Sequence, residues 1–208
     1  MAPILKVLNN PIVSHWLCIL RNKNSSNVVF RQAVELLSQA VFLEAAFNFN
    51  LKKSSFETPV DLANGDVLNQ EIAIVPILRA GIGMVDPILR WLADARVYHL
   101  GAYRNHDTLR PEFYYDKLSG DMSKFHCLVL DPMLATGGSA LETIRRLRKN
   151  GVRKIDFLGL IGSKDGVENL HAEFPDVSIT LAALDEKLNL RGYISPGLGD
   201  AGDRFFNT

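Results

Sequence analysis

Cysteine is almost missing: Cys18 and Cys127 are the only two in 208 residues. That is too few for a disulfide scaffold, and a reduced cytosolic compartment fits. An excess of one charge is missing too. Lys and Arg number 23, Asp and Glu number 23, and the formal net charge is zero. Nucleic-acid binders carry a basic surplus, so a polynucleotide partner is not expected. No apolar run approaches ~18 residues, which argues against a membrane span. The beginning of the chain lacks the charged start, apolar run and cleavage site of a signal peptide. The five histidines, His15, His99, His106, His126 and His171, show no metal-ligand spacing with a third ligand. No Ser-His-Asp or Cys-His pattern stands out. What is left is a chain long enough for one α/β domain, with ordinary apolar (47%) and charged (22%) fractions. Any affinity for an anion must come from local arrangement.

The first fifty residues read as helix. Phe30, Ala33, Val34, Leu37, Ala40 and Val41 form one apolar stripe at 3-and-4 spacing, with Ser25, Ser26 and Asn27 offering an N-cap. This stripe, with Phe42, Phe47 and Phe49 close by, is more apolar surface than one helix needs against its own sheet, so a subunit contact is expected there. From Glu71 apolar runs alternate with amphipathic stretches. Strands are expected at Ile72–Leu78, Arg96–Gly101, Cys127–Leu130, Lys154–Ile161 and Val177–Ala183. Helices are expected at Gly83–Leu92, Ser139–Lys149 and Val167–Glu173, with Gly151 as a stop. This rhythm predicts a parallel sheet covered on both faces, with ligands at the carboxyl ends of its strands. The layout is one domain: a mainly helical part over 1–70, an α/β core over 71–185, a hairpin arm over 103–117 and a tail loop over 186–208.

The chemistry concentrates at Val129-Leu130-Asp131-Pro132-Met133-Leu134-Ala135-Thr136-Gly137-Gly138-Ser139. A strand ends on a carboxylate, a short loop follows, and a helix begins. Backbone N–H groups and the positive end of a helix dipole then converge on one spot, a ready phosphate site. Gly137 and Gly138 permit close approach, while Thr136 and Ser139 add hydroxyl donors. Asp131 would repel a phosphate. It is better explained as an acceptor for sugar hydroxyls or a partner for a metal, and the ligand suggested is a sugar phosphate. A second candidate is Leu78-Arg79-Ala80-Gly81 after a strand, where the planar donors of Arg79 suit phosphate oxygens.

Asp131 to Ser139 resembles the phosphoribosyl-diphosphate (PRPP) loop of type I phosphoribosyltransferases. With Pro132 in second place it resembles the uracil phosphoribosyltransferase family in particular. Val75-Pro76-Ile77-Leu78-Arg79-Ala80-Gly81 resembles that family's diphosphate loop, and Gly192-Tyr193-Ile194-Ser195-Pro196-Gly197-Leu198-Gly199-Asp200-Ala201-Gly202-Asp203-Arg204 resembles its uracil loop. The likeness runs from about Arg21 to the end.

The resemblance implies a Rossmann-like parallel sheet flanked by helices, a β-hairpin arm and a C-terminal base-binding hood. The reaction implied is uracil plus PRPP to UMP plus diphosphate, in the cytoplasm, with Mg²⁺ carried as Mg-PRPP. A homodimer or higher even oligomer and a nucleotide effector such as GTP are implied as well. The PRPP contacts implied are Arg79, Arg104, Asp131, Pro132, Met133, Leu134, Ala135, Thr136, Gly137, Gly138, Ser139 and Asp200. Ile194, Gly199, Asp200 and Ala201 would take uracil, and Arg79, Asp131 and Asp200 would serve the reaction itself. A strained peptide is implied beside Arg79.

Three departures from the family pattern stand out: Ser195 for a common valine, Gly162-Ser163-Lys164-Asp165 for a small apolar segment with proline, and Ala46-Phe47 for polar or basic residues. The first two are expected to touch the floor of the base pocket. Rival readings are a purine or orotate phosphoribosyltransferase, a regulator of RNA or transcription on the same fold, and a non-catalytic dimerisation module. The tail loop opposes the first, the zero net charge the second and three intact ligand loops the third.

Overall fold

The computed structural model describes residues 4–104, 111–118 and 120–208, apart from the side chains of 102–104 and 111–113. The chain begins with strand β1 (Leu5–Val7) and helices α1 (Pro11–Arg21) and α2 (Asn27–Ala45). An antiparallel pair follows, β2 (Leu51–Glu57) and β3 (Leu62–Leu68). Then come β4 (Glu71–Leu78), a 3-10 turn (Ala80–Met84), α3 (Val85–Leu89), β5 (Arg96–Val97), β6 (Leu100–Arg104) and β7 (Pro111–Asp116). The second half holds β8 (Phe125–Leu130), β9 (Met133–Leu134), α4 (Gly138–Lys149), β10 (Lys154–Ser163), α5 (Lys164–Glu173) and β11 (Ser178–Asp185). The tail carries β12 (Lys187–Leu188), β13 (Ile194–Ser195) and α6 (Ala201–Phe206).

The main sheet runs β1-β11-β10-β8-β4-β6-β7, parallel except for the β6–β7 pair. Its central strands are buried on both sides, and alternate residues divide between two cores. Ile72, Ile74, Leu128, Leu130, Leu158 and Leu160 pack under α2 and α3. Val75, Val129, Phe157, Ile179 and Leu181 pack under α4 and α5. Sequence order reverses at β4, whose next strands lie to one side while β8 and β10 lie to the other. That makes the carboxyl ends of β4 and β8 the switch point where ligands of such sheets bind.

Three expectations need correction. The part before residue 70 is helical over α1 and α2 but also holds the strands β1, β2 and β3, which were not expected. The β2–β3 pair carries Asn64-Gly65, normally a turn signal, inside β3. There the Phe56 ring covers the glycine, so a Cβ on Gly65 would lie 2.9 Å from it. The strand expected over Arg96–Gly101 breaks between Val97 and Leu100, opposite Pro76, which has no N–H to offer a neighbour. The stripe from Phe30 to Val41 faces the molecule's own sheet: Phe30, Ala33, Val34, Leu37 and Val41 are all buried.

Other expectations hold. Ser26 caps α2 by accepting from the Val29 N–H, and Gly151 follows α4 with φ 86°. Cys127 is a buried hydrophobe whose thiol is pushed up to about 12 by burial, which makes it inert. Buried His126 is structural, bonded to Asp156 at 3.0 Å and Gln70 at 3.2 Å.

Candidate active site

Beyond the ends of β4 and β8 lies a cavity of about 750 Å³. Three stretches distant in sequence meet there. Leu78, Arg79 and Ala80 come from the end of β4, Asp131, Met133, Ala135 and Ser139 from the loop after β8, and residues 191–194 and 199–203 from the tail. Tyr114 of β7 closes one side. The arm's tip, 105–110, lies outside the described residues, and so does the side chain of Arg104.

The loop after β8 alternates. Asp131, Met133 and Ala135 face the cavity, whereas Pro132 and Leu134 are buried beneath it. The Pro132 carbonyl accepts from the Leu160 and Ile161 N–H groups, and Met133-Leu134 pair with β10 as β9. Pro132 and Leu134, expected as ligand contacts, therefore hold the loop to the sheet instead. Thr136, Gly137 and Gly138 form the turn into α4 and do not line the cavity. Gly137 sits at φ 82° as the N-cap and has no side chain to cap α4, which among the described residues leaves the helix's first N–H groups to an anion.

Asp131 is half-buried, and its Oδ1 accepts from the Met133 N–H at 3.3 Å. Burial pushes its carboxyl from 3.8 up to about 7; the Met133 bond opposes this and the charge of Asp200 adds to it. Two carboxylates thus share one cavity and repel each other. A cation or a set of hydroxyl donors would relieve both.

The peptide between Leu78 and Arg79 is cis. Gly81 is there for space: a Cβ would meet the Leu130 carbonyl oxygen at 2.4 Å, so the loop after β4 can lie across the end of β8 only with glycine. The Arg79 guanidinium donates to Asp203 Oδ1 at 2.8 Å and lies 5.9 Å from the Phe206 ring centre. Both partners are about half exposed. A pair of that kind contributes roughly 0–1 kcal/mol, so an incoming anion displaces it at little cost.

The tail is not irregular to its end, as its lack of periodicity suggested. Asp200 caps α6, its Oδ1 accepting from the Asp203 N–H at 2.9 Å, and Gly199 before it takes φ 86°. Gly202 is helical and needs no such freedom; a Cβ there would stand 3.3 Å from Asp200 Oδ1. The tail is bolted to the N-terminal helices. Arg21 donates to both oxygens of Asp185 at 2.7 and 2.8 Å and to the Gly197 carbonyl at 2.9 Å, and Arg204 donates to the carbonyls of Leu20, Asn22 and Leu198. Burial pushes the Asp185 carboxyl up, but the Arg21 bond, the Gly197 N–H and the Arg21 charge outweigh it and hold the group below its ordinary value. Such a carboxylate supports the fold above the ordinary aspartate range and withdraws that support as pH falls through its lowered value.

Ile194, Gly199, Asp200 and Ala201 line the cavity where the resemblance implies uracil. Ser195 and the Gly162–Asp165 segment do not line it, so neither alters a pocket floor. Arg191, Tyr193 and Asp203 line it without having been singled out. Asp203 was legible as the partner of Asp200 three residues earlier, an N-terminal capping spacing. Arg191 carries no local signal.

Residues 7–208 match the family described as uracil phosphoribosyltransferase. A curated relative of that name from Roseiflexus sp. (strain RS-1) is 48% identical over 208 residues, the whole of both chains. Another, from Roseiflexus castenholzii, is 49% identical over 97% of each chain. The solved structure of the AQ2163 protein from Aquifex aeolicus superposes with a TM-score of 0.92 at 33% identity, covering 98% of each chain. A hypoxanthine phosphoribosyltransferase from Trypanosoma cruzi, at TM-score 0.52 and 10% identity over 76% of this chain and 79% of its own, shares the fold alone. By its sequence and by its α/β architecture, this chain belongs to the uracil phosphoribosyltransferase family.

Proposed function

We propose that the chain transfers the phosphoribosyl group of PRPP to uracil, giving UMP and diphosphate. The observation that carries this reading is the meeting of the β4 end, the loop after β8 and the tail on one cavity. The reaction must stabilise a departing diphosphate and hold a ring nitrogen in line with C1 of the ribose. Fixed donors serve the first need and fixed orientation the second. Arg79 meets the diphosphate, exchanging Asp203 for it. Asp131 accepts from the ribose hydroxyls, and the turn from Thr136 to Ser139 takes the remaining phosphate at the start of α4. Backbone groups at Ile194 and Gly199 to Ala201 match the donor and acceptor edge of uracil.

No group of three or more His, Cys, Asp or Glu is set to hold a metal among the described residues. Mg²⁺ that keeps its waters and phosphate oxygens needs only one or two carboxylates, and the mutually repelling Asp131 and Asp200 fit that need. The ion supplies charge neutralisation on the diphosphate when it arrives with PRPP.

A homodimer or higher even oligomer completes the proposal. Its support has moved from the buried stripe of α2 to apolar groups that stay exposed nearby: Phe47, Val60 and Leu62 are 80%, 94% and 65% exposed. A lone two-stranded arm is marginal in water without a surface to lie on, and two-fold pairing is the commonest closed arrangement. Sedimentation at micromolar concentration is expected to give at least a dimer; a fully active monomer of 23.1 kDa would refute it.

A further inference from the structure

The first turns of α5 and its cap touch the back of the PRPP loop through three residues spaced three apart, Ser163, Gly166 and Asn169. Ser163, fully buried, donates from Oγ to the Ala135 carbonyl at 2.6 Å and accepts the Gly166 N–H at 2.9 Å. Asn169, one turn further on and exposed, donates from Nδ2 to the Thr136 carbonyl at 3.1 Å. Gly166 lies so close that a Cβ would stand 2.4 Å from the Ala135 carbonyl oxygen and 2.6 Å from that of Leu134. In a trans peptide the N–H points opposite to the C=O of the same unit. With the Ala135 and Thr136 carbonyls drawn toward α5, the N–H groups of Thr136 and Gly137 turn the other way, to the side on which Ala135 and Ser139 line the cavity.

We infer that Ser163 and Asn169 are positioning residues for PRPP: they fix the peptide planes after Ala135 and Thr136 so that two backbone N–H groups are preset for a phosphate. Neither touches the cavity, so both act through the loop. The inference rests on the function proposed above. Preset donors bind an anion without first rotating, and the benefit falls on PRPP alone because uracil meets the tail.

The test compares wild type, Ser163→Ala and Asn169→Ala by steady-state kinetics of UMP formation, by calorimetric titration with Mg-PRPP and by thermal melting. Both variants are expected to raise the KM and Kd for PRPP by roughly two- to tenfold, the range of one net hydrogen bond. The KM for uracil should stay unchanged. Ser163→Ala also removes the cap of α5 and is expected to melt earlier. Asn169→Ala, altered only at an exposed side chain, should melt with wild type and still show the PRPP effect. PRPP affinity equal to wild type in Asn169→Ala, or equal losses for PRPP and uracil in both variants, would overturn the inference. A wild-type chain that makes no UMP would instead refute the underlying function, which separates the two failures.

Discussion

Asp131→Asn is expected to lower kcat/KM for PRPP by roughly 10- to 150-fold, the kinetic equivalent of a charge-assisted hydrogen bond worth about 1.5–3 kcal/mol. The same change should not weaken the fold. Asparagine keeps the shape and removes a charge that the free protein holds at a disadvantage, since burial and Asp200 push the Asp131 carboxyl up to about 7. The folded state binds this proton more tightly than the unfolded chain. The resulting stabilisation is fully present below the unfolded value, near 3.8, and is lost as pH rises through about 7. Above that pH the wild type carries two unneutralised carboxylates in one cavity, and the variant carries one. Its melting temperature should therefore exceed that of wild type at pH 8 and approach it at pH 5. Activity follows the opposite sign. The wild-type kcat/KM for PRPP should fall as pH drops through about 7, while the residual activity of the variant loses that step. An active variant, or one that simply unfolds at pH 8, contradicts the role given to Asp131.

Arg79→Ala should cost more, and in turnover. Diphosphate gains charge as it leaves, so a donor aimed at it stabilises the transition state beyond the bound substrate. Loss of one such donor costs about 2.7–4 kcal/mol, or roughly 100- to 1000-fold in kcat. Arg79→Lys should recover part of this, since an ammonium keeps the charge but not the planar fork. Stability should change little, because the Arg79–Asp203 pair is about half exposed on both sides. Unchanged kcat in the alanine variant removes Arg79 from the mechanism.

Why some of this was legible in the sequence and some was not comes down to the range of the forces involved. The segment from Cys127 to Ser139 announces itself because strand, turn and helix cap are all local. The helix after Ser26 does so because its period and its cap agree. The arm of β2 and β3 was hidden: exposed on both faces, it has no apolar alternation, and its Asn64-Gly65 pair, normally a turn signal, lies inside β3. Pairings over long distance were beyond reach. Arg79 meets Asp203 across 124 positions, and Arg21 reaches Asp185 across 164, so neither the tethered tail nor the pre-paired arginine had a local signature. Within the PRPP loop the residue types were legible but their division of labour was not. The pairing of β9 with β10 and the bonds to the Pro132 carbonyl show that Pro132 and Leu134 hold the loop, while Asp131, Met133 and Ala135 face the cavity.

The central claim is tested most directly by incubating the purified chain with radiolabelled uracil and Mg-PRPP and separating the products. Formation of UMP with an equal yield of diphosphate is expected, with kcat/KM for uracil about 10⁴-fold above that for cytosine. Cytosine exchanges a carbonyl acceptor for an amino donor and lacks the ring N–H, and sites built on such matching reject a mispaired analogue by about that factor. Absence of UMP, comparable turnover of cytosine, or a preference for hypoxanthine would contradict the account.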